Sequence, residues 1–279
     1  MGLKYQLKVF IRSSYKIISN KNINLTTKNL LLLDFVRFSF KTFLFRYLRI
    51  KFTKETLLNY KFDLDYYPDF VSQFIEIFVD FTYYFPINAK NIIDCGSNIG
   101  MSIAFFKIFF PEAKILAFEA NPRTYSILRR NMLGNKFKNV NLVNAAVYTK
   151  NGKVNFYTYD NSKTQERSID NSIFNKVGGY KISVKTIDLS KYLNKKIDIL
   201  KMDIEGAEAR VIEKCGAKII NVKNIVMEFH MYQSIKNNNN LSNMLRVLDK
   251  SGFNYYINEA NGQLLNDIKN HLIIIKAEG

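Results

Sequence analysis

Four residues near the ends of two apolar runs have the types needed for proton transfer or cation binding: Asp203, Glu205, Glu228 and His230. Asp203 and Glu205 follow the run 197–202 in the segment D-I-E-G-A-E. Glu228 and His230 alternate at the end of the run 224–229, so their side chains share one strand face. His230 is the preferred proton acceptor, because an unperturbed imidazole with a pKa of ~6.5 is neutral at pH 7. Asp203 is second, and Glu228 completes the candidate set. Asp203, Glu205 and Glu228 are also hard oxygen donors of the kind Mg²⁺ takes, and the residues leave open whether a metal is used. The plainer alternative for Asp203 and Glu208 is capping of a helix N-terminus, where the helix dipole stabilises carboxylates. For His230 the plainer alternative is a structural hydrogen bond.

A second constellation lies upstream, in Asp94-Cys95-Gly96-Ser97-Asn98-Ile99-Gly100. Two glycines after a short apolar run let the backbone turn tightly and approach a ligand closely. The spacing is G-x-x-x-G, not the G-x-G-x-x-G of a dinucleotide fold, and no G-x-x-x-x-G-K-[ST] sequence supports triphosphate hydrolysis. Glu119 ends the next apolar run, where a carboxylate can accept hydrogen bonds from both hydroxyls of an adenosine ribose.

Positioning these groups requires parallel strands whose carboxyl ends meet at one edge. From Asn91 the chain alternates apolar runs (91–95, 114–118, 140–147, 197–202, 224–229) with helical stretches (101–110, from 122, 207–214, 241–250). That alternation predicts a doubly wound α/β sheet with helices on both faces. A short extra strand is expected at 154–159. The runs 253–257 and 272–276 have no full helix between them and are expected to pair antiparallel. Polar residues 160–179 read as a long loop, of the kind that often serves as a lid. His271 lies in the terminal run without acidic company and reads as structural.

The ordered set D-C-G-S-N-I-G, F-E-A-N-P, V-N-A-A-V, D-I-L-K-M-D-I-E-G-A-E and M-E-F-H resembles the FkbM-type methyltransferases over about residues 91–230. The resemblance implies a class I methyltransferase, a Rossmann-like enzyme with a seven-stranded doubly wound sheet that uses S-adenosylmethionine. It implies that Asp94, Gly96, Asn98 and Gly100 line the methionine and ribose side and that Glu119 holds the ribose. It places Asn144 and Ala145 near the adenine and Asp203 beside the cofactor. The family's link to polyketide and polysaccharide tailoring implies an O-methyltransferase acting on a glycan or other small hydroxylated metabolite. Deprotonating a sugar hydroxyl is then the task of His230, Asp203 and Glu228.

The rest of the chain is read as residues 1–54, a basic aromatic helical extension; 55–90, a helical connector; and 91–279, the methyltransferase domain. Lysine and arginine outnumber acids by 41 to 24, and residues 1–54 hold 12 basic residues against one acid. Such an extension either packs on the main domain or lies as an amphipathic helix on a membrane. Phosphate gripping by a nucleic-acid methyltransferase is an alternative, but no N/D-P-P-Y or Pro-Cys sequence supports it, and no specific nucleic-acid partner is expected. A non-catalytic, membrane-surface protein on the same fold is the third reading. Two cysteines, Cys95 and Cys215, are too few for a disulfide framework. No run approaches the ~20 uncharged apolar residues of a spanning helix. The expected location is the cytoplasm, with room for peripheral contact at the inner membrane surface.

Overall fold

The computed structural model describes residues 3–158, 180–232, 239–259 and 270–279. The expected lid, 160–179, lies outside the described residues.

Two helices open the chain, α1 (Leu3–Ser19) and α2 (Leu25–Leu48). Asn24 starts α2 by accepting a hydrogen bond from the Thr27 amide at 2.8 Å, satisfying one of the free N–H groups of the first turn. A hairpin follows, β1 (Lys54–Leu57) and β2 (Tyr60–Asp63), then α3 (Tyr67–Phe74), which runs into a π-helical turn at Ile75–Val79. The helical connector expected over 55–90 therefore begins with a hairpin, and its helical part starts at Tyr67. Lys54–Leu57 and Tyr60–Asp63 alternate side chains across a two-residue turn, and Leu58 and Asn59 both take positive φ there.

The sheet strands are β3 (Asn91–Cys95), β4 (Lys114–Glu119), β5 (Val140–Asn144), then β9 (Ile197–Met202), β10 (Val222–Tyr232), β11 (Asn254–Glu259) and β12 (Asn270–Glu278). They lie in the order β11-β12-β10-β9-β3-β4-β5. The first five in sequence pair in parallel, and β12 runs antiparallel to both β10 and β11. Helices α4 (Met101–Phe109), α5 (Pro122–Gly134), α6 (Glu208–Cys215) and α7 (Leu241–Lys250) link these strands. Between β5 and β9 the chain forms a small sheet of β6 (Ala146–Tyr148), β7 (Gly152–Thr158) and β8 (Tyr180–Asp188). The run expected as one strand, 140–147, thus breaks at Ala145, where the chain leaves the main sheet to pair with β8.

Winding goes outward from β3 through β4 to β5, then returns across to β9. The direction reverses between β3 and β9, and the crevice outside their carboxyl ends is where ligands bind in such sheets. One face of the sheet is covered by α6 and α7. On the other, Leu31, Phe35 and Phe38 of α2 join Phe70 and Phe74 of α3, Phe105 of α4 and Ile92 and Ile115 of the sheet in one core. Phe38 meets the Phe70 and Phe74 rings edge-on at 5.1 and 5.0 Å. The basic extension is therefore built into the core, as aromatic residues on one helical stripe require. Its buried Asp34 accepts from the Leu58 amide at 2.9 Å and pairs with Arg37 at 2.8 Å. Asn131 of α5 donates to the carbonyls of Ile99 and Asp63 and accepts from the Asp63 amide, tying the hairpin to the turn after β3. No helix among the described residues is long and apolar enough to cross a membrane.

Candidate active site

The two turns that form the crevice touch. Gly96 takes φ +83°, and a Cβ there would lie 1.8 Å from the Asp203 carbonyl oxygen, so only glycine allows the turn after β3 to meet the turn after β9. The Asp203 amide donates to the Cys95 carbonyl at 3.0 Å, and the Gly96 and Ser97 amides both donate to the Phe118 carbonyl at 2.9 Å. Three strand ends are thereby locked together.

Lys201, buried on β9, sits behind this junction. Its ammonium donates to the Gly96 carbonyl at 2.6 Å and lies 3.5 Å from Asp94 and 3.6 Å from Asp203. Burial alone would lower its pKa, but Asp94, Asp203, Glu228 and Glu76 outweigh that and raise it, so Lys201 is a fixed cation. Asp94 is fully buried; it accepts from the Ser102 hydroxyl at 2.6 Å and so braces the turn against α4.

Glu119 ends β4 with both carboxylate oxygens aimed back at backbone: one accepts from the Asn98 amide at 3.0 Å, the other from Asn121 at 2.8 Å. Asn98 holds φ +47°. Glu119 and Asn98 line a cavity of about 240 Å³ with Gly96, Phe118, Ala145, Ala146, Val147 and Phe156. Its other end is carboxylate-rich, with Glu76, Asp203, Glu205 and Glu228.

Four placements differ from the expectation. Asp94, expected on the cofactor side, does not line the cavity but is fully buried against Ser102 and Lys201. Gly100 begins α4 with φ +96° and packs toward Leu128 and Met132, behind the cavity wall. Asn144 donates to the Glu119 and Ala120 carbonyls, stapling the end of β4 rather than facing the cavity. His230 is not placed as a neutral base. Its Nε2 is 3.0 Å from Glu205 and its Nδ1 is 3.1 Å from Glu208. Burial would depress its pKa, but the two carboxylates and their hydrogen bonds hold it well above 6.5, which makes it an imidazolium with no free lone pair. Glu208 is fixed in turn by the Ile204 and Gly206 amides and by Asn239; burial would raise its pKa, but His230 and the Gly206 and Glu208 amides lower it. The clamp holds Glu205, which has φ +58°, at the cavity edge.

Three residues that line the cavity, Glu76, Tyr83 and Lys201, are not among the candidates read from the sequence. Glu76 belongs to the segment expected as a connector, and the π-helical turn carries it into the cavity, a common use of such turns. Glu76 hydrogen-bonds Glu228, whose Oε1 also accepts from the Tyr83 hydroxyl at 3.2 Å. Burial raises the pKa of Glu228 well above the ordinary range, and the neighbouring Glu76 and Asp203 raise it further. Burial raises Glu76 too. One oxygen each of Glu76 and Asp203 is buried without a hydrogen-bond donor among the described residues.

Asp203, Glu228 and His230 each offer a ligand atom within 4.8 Å of one another. A divalent ion does not fit this set well: both histidine nitrogens are committed to glutamates, and Lys201 already supplies positive charge beside Asp203.

A sequence profile of the methyltransferase FkbM domain matches residues 94–255, from the end of β3 into β11. The chain belongs to the FkbM methyltransferase family. It is accordingly an S-adenosylmethionine-dependent methyltransferase of FkbM type. Among curated relatives, methyltransferase sdnD of Sordaria araneosa is 29% identical over 192 residues, covering 56% of this chain and 74% of that protein. The 2-O-methyltransferase NoeI of Sinorhizobium fredii is 29% identical over 136 residues, covering 43% of this chain and 55% of that protein. A crystal structure of an FkbM methyltransferase from Methylobacillus flagellatus is 12% identical, with a TM-score of 0.47, and covers 97% of this chain and 59% of that one. In this FkbM chain the cavity suits a cationic cofactor: glycine and backbone on one side, apolar rings on another, and carboxylate oxygens lacking donors at the far end.

Proposed function

We propose that this FkbM chain is an O-methyltransferase that methylates a hydroxyl of a glycan or other small hydroxylated metabolite. The carrying observation is the convergence of Glu76, Asp203 and Glu228 on one end of the cavity, with one buried oxygen each of Glu76 and Asp203 lacking a donor among the described residues and, for the two glutamates, raised pKa. Gly96, Asn98, Glu119 and Ala145 would hold S-adenosylmethionine, with Phe118, Val147 and Phe156 as an apolar slot for the adenine. When bound, it supplies a methyl group on a positively charged sulfur.

An alcohol is a poor nucleophile until its proton leaves, so the chain's own work is to orient the hydroxyl and accept that proton. Glu228 takes this role, because a carboxylate with a raised pKa is a better base near neutral pH than an ordinary one. Glu76, raised by burial, carries the proton of its hydrogen bond with Glu228 and so leaves Glu228 as the carboxylate that takes the hydroxyl's proton, while Asp203 Oδ1 accepts from a neighbouring hydroxyl of the acceptor. Tyr83 keeps Glu228 in place. The acid-rich lining also favours neutral acceptors over phosphorylated ones, since a phosphate beside Glu76, Asp203, Glu205 and Glu228 meets like charge. That disfavours a nucleic-acid substrate. The similarity to a relative named as a 2-O-methyltransferase supports oxygen as the acceptor atom, and a role in polysaccharide biosynthesis follows from the same reading. The free, buried cysteines Cys95 and Cys215 fit a reducing cytoplasm.

The test is transfer of labelled methyl from S-adenosylmethionine to a panel of neutral glycosides, amino sugars, sugar phosphates and RNA. Label is expected in neutral glycosides as an alkali-stable ether. Glu228→Gln should lower kcat by roughly 10²–10⁴-fold while S-adenosylhomocysteine affinity is unchanged. Label confined to amines or RNA, or full activity in the variant, refutes the proposal.

A further inference from the structure

The N-terminal helices are apolar on two sides, and only one side is covered. Leu31, Phe35 and Phe38 of α2 are in the core, whereas Leu33, Val36, Phe40, Phe43 and Tyr47 form a second stripe at alternating three- and four-residue spacing. That stripe is open to solvent: Leu33 is 68% exposed and Phe40 62%. It runs ~21 Å along the helix at 1.5 Å per residue. In α1, Leu7, Ile11, Tyr15 and Ile18 make a similar exposed row. Contiguous exposed apolar surface of this kind marks an interaction site.

Charge selects the partner. Lys28 and Arg46 run along one side of the α2 stripe, with exposed Arg49 and Lys51 continuing past its end, whereas Arg37 on the other side is paired with Asp34 and Glu55. Lys8 borders the α1 row, as does Arg12, which lies 4.0 Å from Asp80. The one acid in residues 1–54, Asp34, is buried against Arg37 and the Leu58 amide. We propose that this face docks on an anionic lipid bilayer, with the apolar stripe in the headgroup–acyl boundary and the flanking cations on lipid phosphates. A second copy of the chain is the poorer occupant, because a two-fold contact through this face would bring cations against cations with no acid between them. The helix needs no folding on contact, since its opposite side is already fixed by Phe35 and Phe38. Aromatic Phe40, Phe43 and Tyr47 are suited to the membrane interface.

The experiment is flotation of the full chain with vesicles of phosphatidylcholine alone and with added phosphatidylserine, at low and high salt. Binding is expected only with phosphatidylserine and should weaken as salt rises. Phe40→Ser with Phe43→Ser should weaken it at least about tenfold, with S-adenosylhomocysteine affinity and thermal unfolding unchanged because both rings are exposed. Arg49→Ala with Lys51→Ala should weaken it and flatten the salt dependence. Absence of vesicle binding, equal binding to neutral vesicles, or indifference to the phenylalanine changes overturns the proposal. So does a concentration-dependent dimer that those changes dissolve, which would assign the face to a second copy.

Discussion

Replacing Lys201 with methionine removes the cation on which the buried carboxylates of the active site depend. The ammonium lies 3.5 Å from Asp94 and 3.6 Å from Asp203, with a side chain only 3% exposed. At an effective dielectric of ~20, each pair is worth about 5 kcal/mol of gross attraction. Methionine recovers the desolvation cost of the lysine but leaves Asp94, fully buried, with an oxygen that no other group satisfies. The net loss expected from breaking such a buried pair is ~3–5 kcal/mol, which in a chain of this size lowers Tm by roughly 10 °C. The penalty depends on pH. A carboxylate whose folded pKa lies above its unfolded value destabilises the fold above that folded pKa, and the cost is relieved as pH falls through it. Lys201 itself stays charged throughout, because its pKa is raised. The gap between wild type and Lys201→Met should therefore be full at pH 8 and shrink as pH falls, because Glu76, raised by burial and held down by Lys201, takes up its proton more readily once the lysine is gone. Urea unfolding followed by far-ultraviolet circular dichroism at several pH values measures it. A variant within about 1 kcal/mol of wild type at pH 8, with no trend in pH, would refute the charge-compensation argument.

Two further outcomes follow from the same geometry. Gly96→Ala should abolish S-adenosylhomocysteine binding in calorimetry and cost ~3 kcal/mol or more of stability, because the new methyl would sit 1.8 Å from the Asp203 carbonyl oxygen at φ +83°. His230→Gln should destabilise the chain most near pH 6. The raised pKa of His230 gives stability that is fully present below its unfolded value of ~6.5 and lost as pH rises through the folded pKa. Unfolding midpoints of wild type and variant should therefore converge as the solution is made more alkaline, and a constant gap would count against the charged clamp.

What is local was legible in the residues. The alternation of apolar runs and helical stretches, the glycine turn after β3, the carboxylate closing β4 and the acids after β9 all follow from period, turn chemistry and residue type. The structure has the expected parallel strands at 91–95 and 197–202, that expected at 114–118 extended by one residue to Glu119, and the antiparallel pair at the C-terminus. Tertiary structure alone decided which of these groups meet. Glu76 lies far from β9 and β10 in the chain, and a π-helical turn brings it to Glu228. Gly100 and Asn144 look like ligand contacts in a motif, yet packing turns one toward α5 and the other onto backbone carbonyls. His230 reads as a neutral base as long as only its own strand is considered. Two glutamates from the loop and helix after β9 reach it through space and keep its proton on. A protonation state depends on every charge within a few ångströms, and those neighbours come from the fold, not from the strand that carries the residue.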